Sequence, residues 1–76
     1  MQKKIIEMTL NMDTFIDEIK KRENINVVFW KFGDKTIFTG LGDNIILGYK
    51  CKSNLADEMI NLLKKNNIES TWKGLY

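Results

Sequence analysis

The side chains of this 76-residue chain that are able to do chemistry are few: one thiol, Cys51, ten carboxylates, twelve Lys or Arg, and no His. Without an imidazole and with a single Cys, the chain lacks a Cys/His set for structural zinc, an imidazole general base, and a Ser–His or Cys–His nucleophile pair. Cys51 stands between Lys50 and Lys52, neighbours that lower the pKa of an exposed thiol. No base or oxyanion site accompanies it, so it reads as a small apolar residue closing a strand.

Asp34 and Asp43 are the only acids between positions 25 and 52. They flank the strand expected over Lys35–Thr39, which at about 3.3 Å per residue holds them roughly 15 Å or more apart. A glycosidase pair needs ~5–9.5 Å, so both aspartates read as turn residues. Gly40-Leu41-Gly42 has neither the Lys of a Walker loop nor the third Gly and following helix of a dinucleotide fingerprint, and it joins two strands. It reads as a hairpin loop. No catalytic residue, metal ligand or cofactor site is expected, and the chain is read as a non-enzyme.

The elements that must position whatever function remains follow from the pattern of apolar residues. Lys4 to Leu10 alternates, with Ile6, Met8 and Leu10 on one side, which suits a half-buried strand. Asn11 or Asp13 can then cap a helix carrying Met12, Phe15, Ile16 and Ile19 at helical spacing, acids early and Lys20, Lys21 and Arg22 late. From Ile25 the residues turn β-branched and aromatic. Val27–Phe32 and Lys35–Thr39 flank Gly33-Asp34, where Gly33 supplies the positive φ of a type II′ turn, so Phe32 should oppose Lys35 and Trp30 should oppose Ile37. The loop 40–44 leads to a third strand over Ile45–Cys51. Ser53 or Asn54 opens a second helix with Leu55, Met59, Leu62 and Leu63 on one stripe, which Asn66-Asn67 stops. Ile68, Ser70 and Trp72 alternate afterwards as a short last strand.

The expected fold is therefore α+β, one domain over residues 1–76: a two-layer structure in the order β-α-β-β-β-α-β. An antiparallel sheet with a central three-stranded meander carries both helices on one face. Alternation divides the sheet into two sets. Val28, Trp30, Phe32, Ile37, Thr39, Ile45, Leu47, Tyr49 and Cys51 are expected to form the core. Val27, Phe29, Lys31, Thr36, Phe38, Ile46, Gly48, Lys50 and Lys52 are expected on the opposite face.

That second set attracts functional interest because it mixes Phe29, Phe38 and Ile46 with Lys31, Lys50 and Lys52. Residues 25–52 carry four Lys against two Asp, whereas the segments on either side balance to zero, so the whole net charge of +2 sits in the sheet segment. Aromatic residues flanked by Lys on an open sheet stack unpaired bases while the ammonium groups follow phosphates. A net charge of +2 is low for that role, and the commoner fate of such a patch is burial against protein, including a second copy of the chain. Thr71-Trp72-Lys73-Gly74-Leu75-Tyr76 ends the chain with aromatic residues either folded onto the sheet or anchoring a partner, and Trp72 joins the candidate binding residues.

The lone Cys51 forbids an internal disulfide and points to a reducing cytoplasm. Glu7 and Thr9 break the apolar run that would follow the basic start of a secretory signal, and no stretch approaches the roughly 18–20 apolar residues of a membrane span. Ile, Lys and Asn make up 29 of the 76 residues, the bias of an AT-rich genome. A short frame of this kind with no enzymatic residue set suits a phage or mobile element. The resulting expectation is a binding module that inhibits a host defence or regulatory protein by covering its surface, with single-stranded nucleic acid or a nucleotide as the alternative ligand.

Overall fold

The computed structural model describes residues 5–22 and 24–75. Its elements are β1 (Ile5–Met8), α1 (Met12–Lys20), β2 (Asn26–Phe32), β3 (Lys35–Leu41), β4 (Ile45–Lys52), α2 (Ala56–Lys65) and β5 (Ser70–Leu75). The order differs from the expected one by a short 3₁₀ turn over Ser53–Leu55, between β4 and α2. Lys4 and Tyr76, included in the expected terminal strands, lie outside the described residues.

Local chemistry sets the helix ends. Asn11 caps α1, its Oδ1 accepting from the Thr14 N–H at 2.8 Å. Asn11→Ala should cost ~1 kcal/mol of stability in urea unfolding, since one backbone donor of the first turn loses its acceptor. Just past the end of α1, Arg22 and then Lys21 hydrogen-bond back to Glu18 and hold its carboxyl below the ordinary value. That contribution is present at neutral pH and is lost as pH falls through the lowered pKa. Asn67 takes φ 60° after α2, with its N–H on the Lys64 carbonyl at 3.0 Å and the Ile68 N–H on the Leu63 carbonyl at 2.9 Å. These are the two bonds of a Schellman stop.

The five strands form one sheet in the order β1-β4-β3-β2-β5. β2, β3 and β4 make the antiparallel meander, and the first hairpin has the expected register, Phe32 opposite Lys35 and Trp30 opposite Ile37. Gly33 at φ 59° supplies its turn. The expected all-antiparallel sheet is corrected at both edges: β1 runs parallel to β4 and β5 parallel to β2, so the sheet is mixed. A helix separates each edge strand from its neighbour in sequence, and a helical crossover returns the chain in the same direction.

Both crossovers, β1-α1-β2 and β4-α2-β5, join parallel strands three places apart and step in the same direction across the sheet. With the shared handedness of such connections, both helices fall on the same face. The core cluster agrees, uniting Phe15, Ile16 and Ile19 of α1 and Met59 and Leu63 of α2 with one side of the strands. The shortest dimension of the molecule, 21 Å, accommodates the sheet and one helix layer and no third.

The second hairpin departs from expectation. β3 continues through Gly40 and Leu41, leaving only residues 42–44 as the connection, and Gly40 pairs with Leu47 and Phe38 with Tyr49. Ile19 and Ile25 press onto the bare backbone of Gly40, which explains a glycine inside a strand. A one-residue change of register exchanges the faces of a strand. Phe29 and Phe38 consequently join Ile45, Leu47, Tyr49 and Cys51 under the helices, while Val28, Trp30, Phe32, Ile37 and Thr39, expected in the core, lie on the other side.

Candidate interaction face of the sheet

Strand alternation from the observed register places Trp30 and Phe32 of β2, Ile37 and Leu41 of β3, and Ile46 of β4 on the side away from the helices. β1 adds Ile6 and Met8, with Met8 lying over Gly48, where any side chain would collide with its sulfur. The Trp30 and Phe32 rings are neighbours, centroids 6.3 Å apart and tilted by 51°. Phe32 and Leu41 are exposed, and Trp30, Ile37 and Ile46 are half-buried with no helix above them.

The cations gather toward one end of this face. Lys35 and Lys52 are directly opposed across β3 and β4, and Lys50 opposes Ile37 one row in. Like charges directly opposite are unfavourable by themselves, so the end of the sheet favours an anionic neighbour. Lys73 of β5 joins Trp30 and Val28 along a shallow groove of about 650 Å³. No Asp or Glu occupies an open-face strand position among the described residues; Glu69, just before β5, lines the end of the groove. The face is thus an apolar field with a Lys margin.

The residues expected to share a binding face are divided between the two sides. Ile46, Lys50 and Lys52 are on the open side. Phe38 is 0% exposed and Phe29 9%, their rings stacked at 5.0 Å within the helix-covered core, which corrects their assignment to an open face. Lys31, opposite Thr36, is on the helix side at the sheet's end. Trp72 folds back and tilts against Phe29 at 5.4 Å, yet stays 50% exposed at the β5 edge of the helix side. Trp30, Phe32, Lys35, Ile37, Leu41 and Lys73 are open-face residues that sequence reasoning missed. The signal that could have found them lies in β4, where Lys50 and Lys52 mark the solvent side and the correct register carries that assignment into β3 and β2.

Cys51 is buried on the core side, and burial raises its thiol pKa above the ordinary value. Native protein at pH 8 should react with a thiol-specific disulfide reagent roughly 100-fold or more slowly than protein unfolded in guanidinium, because the thiol is both protonated and covered. Thr36, also buried, places its hydroxyl 3.0 Å from that of Ser53 and ties β3 to the turn before α2. Among the described residues no group of three or more His, Cys, Asp or Glu is arranged to hold a metal ion, and no helix is long and apolar enough to cross a membrane. No family model, curated protein or solved structure matches the chain, so what the open face can bind follows from its own chemistry.

Proposed function

We propose that the chain is a non-enzymatic binding module that engages a protein partner through the open side of its sheet. In its most concrete form it is a phage or mobile-element inhibitor that covers a functional surface of a host defence or regulatory protein. The observation that carries the reading is the field of Trp30, Ile37, Leu41 and Ile46 left uncovered by both helices, with a Lys margin and, among the described residues, no carboxylate at an open-face strand position. An apolar centre with a charged rim is the anatomy of a protein interface, and the Lys margin selects a partner surface edged with Asp and Glu.

Affinity capture from a lysate of the encoding cell tests this. Wild-type bait should retain a discrete protein that bait carrying Ile37→Asp does not, because an unpaired carboxylate in the apolar centre must be desolvated on binding. Equal retention by both baits, or none by wild type in excess, contradicts the proposal.

Single-stranded nucleic acid is the second reading, favoured by the adjacent Trp30 and Phe32 rings beside Lys50 and Lys73. Four Lys contacts on a single strand would give a log–log salt slope of about −3 between roughly 50 and 200 mM. A labelled oligonucleotide showing that slope, weakened by Trp30→Ala, would replace the protein reading.

A further inference from the structure

The two edges of the sheet are unlike. β5 has a register shift against β2 between Phe29 and Lys31, carries Lys73, and places Gly74 at φ 118°. Charge and irregularity of this kind discourage a further strand from pairing. β1, at the other edge, is a four-residue strand of Ile5, Ile6, Glu7 and Met8, all exposed, and among the described residues nothing pairs with its outer side.

The backbone of β1 shows which groups that outer side offers. Ile5 donates its N–H to the Asn44 carbonyl at 2.9 Å and Thr9 to the Gly48 carbonyl at 2.7 Å. Along a parallel strand the residues alternate in the neighbour they address, so Ile5, Glu7 and Thr9 face β4. Ile6 and Met8 direct their N–H and C=O groups away from the sheet, and their side chains are 72% and 59% exposed. An unpaired edge strand is a template for another strand, and the four-residue length of β1 confines such pairing to the outward groups of Ile6 and Met8.

We propose that the β1 edge is a self-association site at which a second copy of this chain pairs its own β1 antiparallel, Ile6 opposite Ile6, joining two sheets into one. With Ile6 on the two-fold axis the two Ile6 residues exchange both N–H···O=C bonds, and their side chains meet on the open side. Charge selects this pairing over two alternatives. A register centred on Glu7 would oppose two carboxylates, whereas pairing centred on Ile6 sets each Glu7 against the other copy's Ile5. Stacking two open faces with their strands parallel would press one Lys margin toward the other, with no carboxylate at an open-face strand position among the described residues to answer it. Edge pairing sends the two Lys clusters to opposite ends of the joined sheet, because Lys50 and Lys52 follow Ile46 along β4, parallel to β1, and β1 is reversed in the second copy.

Sedimentation equilibrium of the full chain from about 10 to 500 μM tests the association. The mass should rise from 8.9 kDa toward twice that value with concentration. Ile6→Pro removes the outward N–H while sparing the bonds to β4, and should hold the mass at the monomer value throughout. Trp30→Ala should leave the association unchanged, which separates pairing at the β1 edge from stacking of one open face on another. If Ile6→Pro disturbs the fold, cysteine pairs decide the register: Ile6→Cys should form a disulfide-linked dimer with oxidised glutathione, its Cα atoms about 5.5 Å apart across the axis, and Glu7→Cys should not. A wild-type mass constant at 8.9 kDa, undiminished association of a folded Ile6→Pro variant, or preferential cross-linking through Glu7→Cys would overturn the proposal.

Discussion

Phe38→Ala should lower the unfolding free energy by about 3–5 kcal/mol, the cost of removing a fully buried phenyl ring and leaving a cavity. A chain of this length has ~4–11 kcal/mol in all, so the variant should lose about a quarter of its urea midpoint or more, and at the low end of that range be unfolded at 25 °C. The magnitude follows from position: Phe38 is completely covered, stacks on Phe29 across β2 and β3, and lies directly opposite Tyr49 of β4. Its counterpart on the other side of the sheet behaves differently. Trp30→Ala, removing a half-buried ring with no helix above it, should cost less than about 1.5 kcal/mol. Equilibrium urea unfolding of the two variants reads both numbers, and a larger loss for Trp30 than for Phe38 would mean that the helices cover the other face.

Trp30→Ala should have its large effect on binding. A Trp near the centre of an interface, ringed by apolar neighbours that exclude water, commonly contributes 2 kcal/mol or more to affinity, about 30-fold in Kd. Trp30 has that setting: Phe32 adjoins it along β2 and Ile37 lies opposite on β3, with Lys50 next in the same row. Calorimetric titration of the captured partner with wild type and with Trp30→Ala should show that loss, with circular dichroism unchanged. Lys52→Ala, at the margin, should change affinity by less than about 1 kcal/mol and act mainly on the association rate and its salt dependence. Unchanged affinity in Trp30→Ala would place the interface elsewhere on the molecule.

The difference between these residues was only partly legible in the sequence. The first hairpin was readable because Gly33-Asp34 is a strong local turn signal, and the helices were readable because their apolar stripes and end charges are local too. The edge strands were visible as alternation, but their parallel pairing was not, since a parallel neighbour is reached through a helix and leaves no turn signal. Gly40 and Leu41 looked like loop because two glycines stand within three residues; in the structure Gly40 is a strand residue whose missing side chain makes room for Ile19. A strand ending at Thr39 opposite Ile45 differs by an odd number of residues from the observed pairing of Leu41 with Ile46, and an odd shift exchanges the faces.

Which side of the sheet the helices cover is ambiguous in the sequence for a physical reason. β2 is apolar on both sides, Val27 and Phe29 on one and Val28, Trp30 and Phe32 on the other, so alternation within it cannot say which side the helices cover. β4 resolves the matter. Its Ile45, Leu47, Tyr49 and Cys51 alternate with Ile46, Gly48, Lys50 and Lys52, which makes one side plainly apolar and the other the Lys-bearing side. Only the long-range pairing of Phe38 with Tyr49 transfers that polarity to β3 and β2. The open face kept Ile46, Lys50 and Lys52 from the sequence reading and exchanged Phe29 and Phe38 for Trp30 and Phe32.

The most direct test of the open sheet side as the binding surface is photo-cross-linking in the lysate of the encoding cell, with a benzophenone side chain placed at Ile37 in one protein and at Asp17 in another. Ile37 lies within the open face, and Asp17 is an exposed position on α1, on the far side of the sheet. The binding-module account predicts one discrete protein adduct from position 37 and none from position 17. An adduct from position 17 with none from position 37, or adducts from neither, would contradict it.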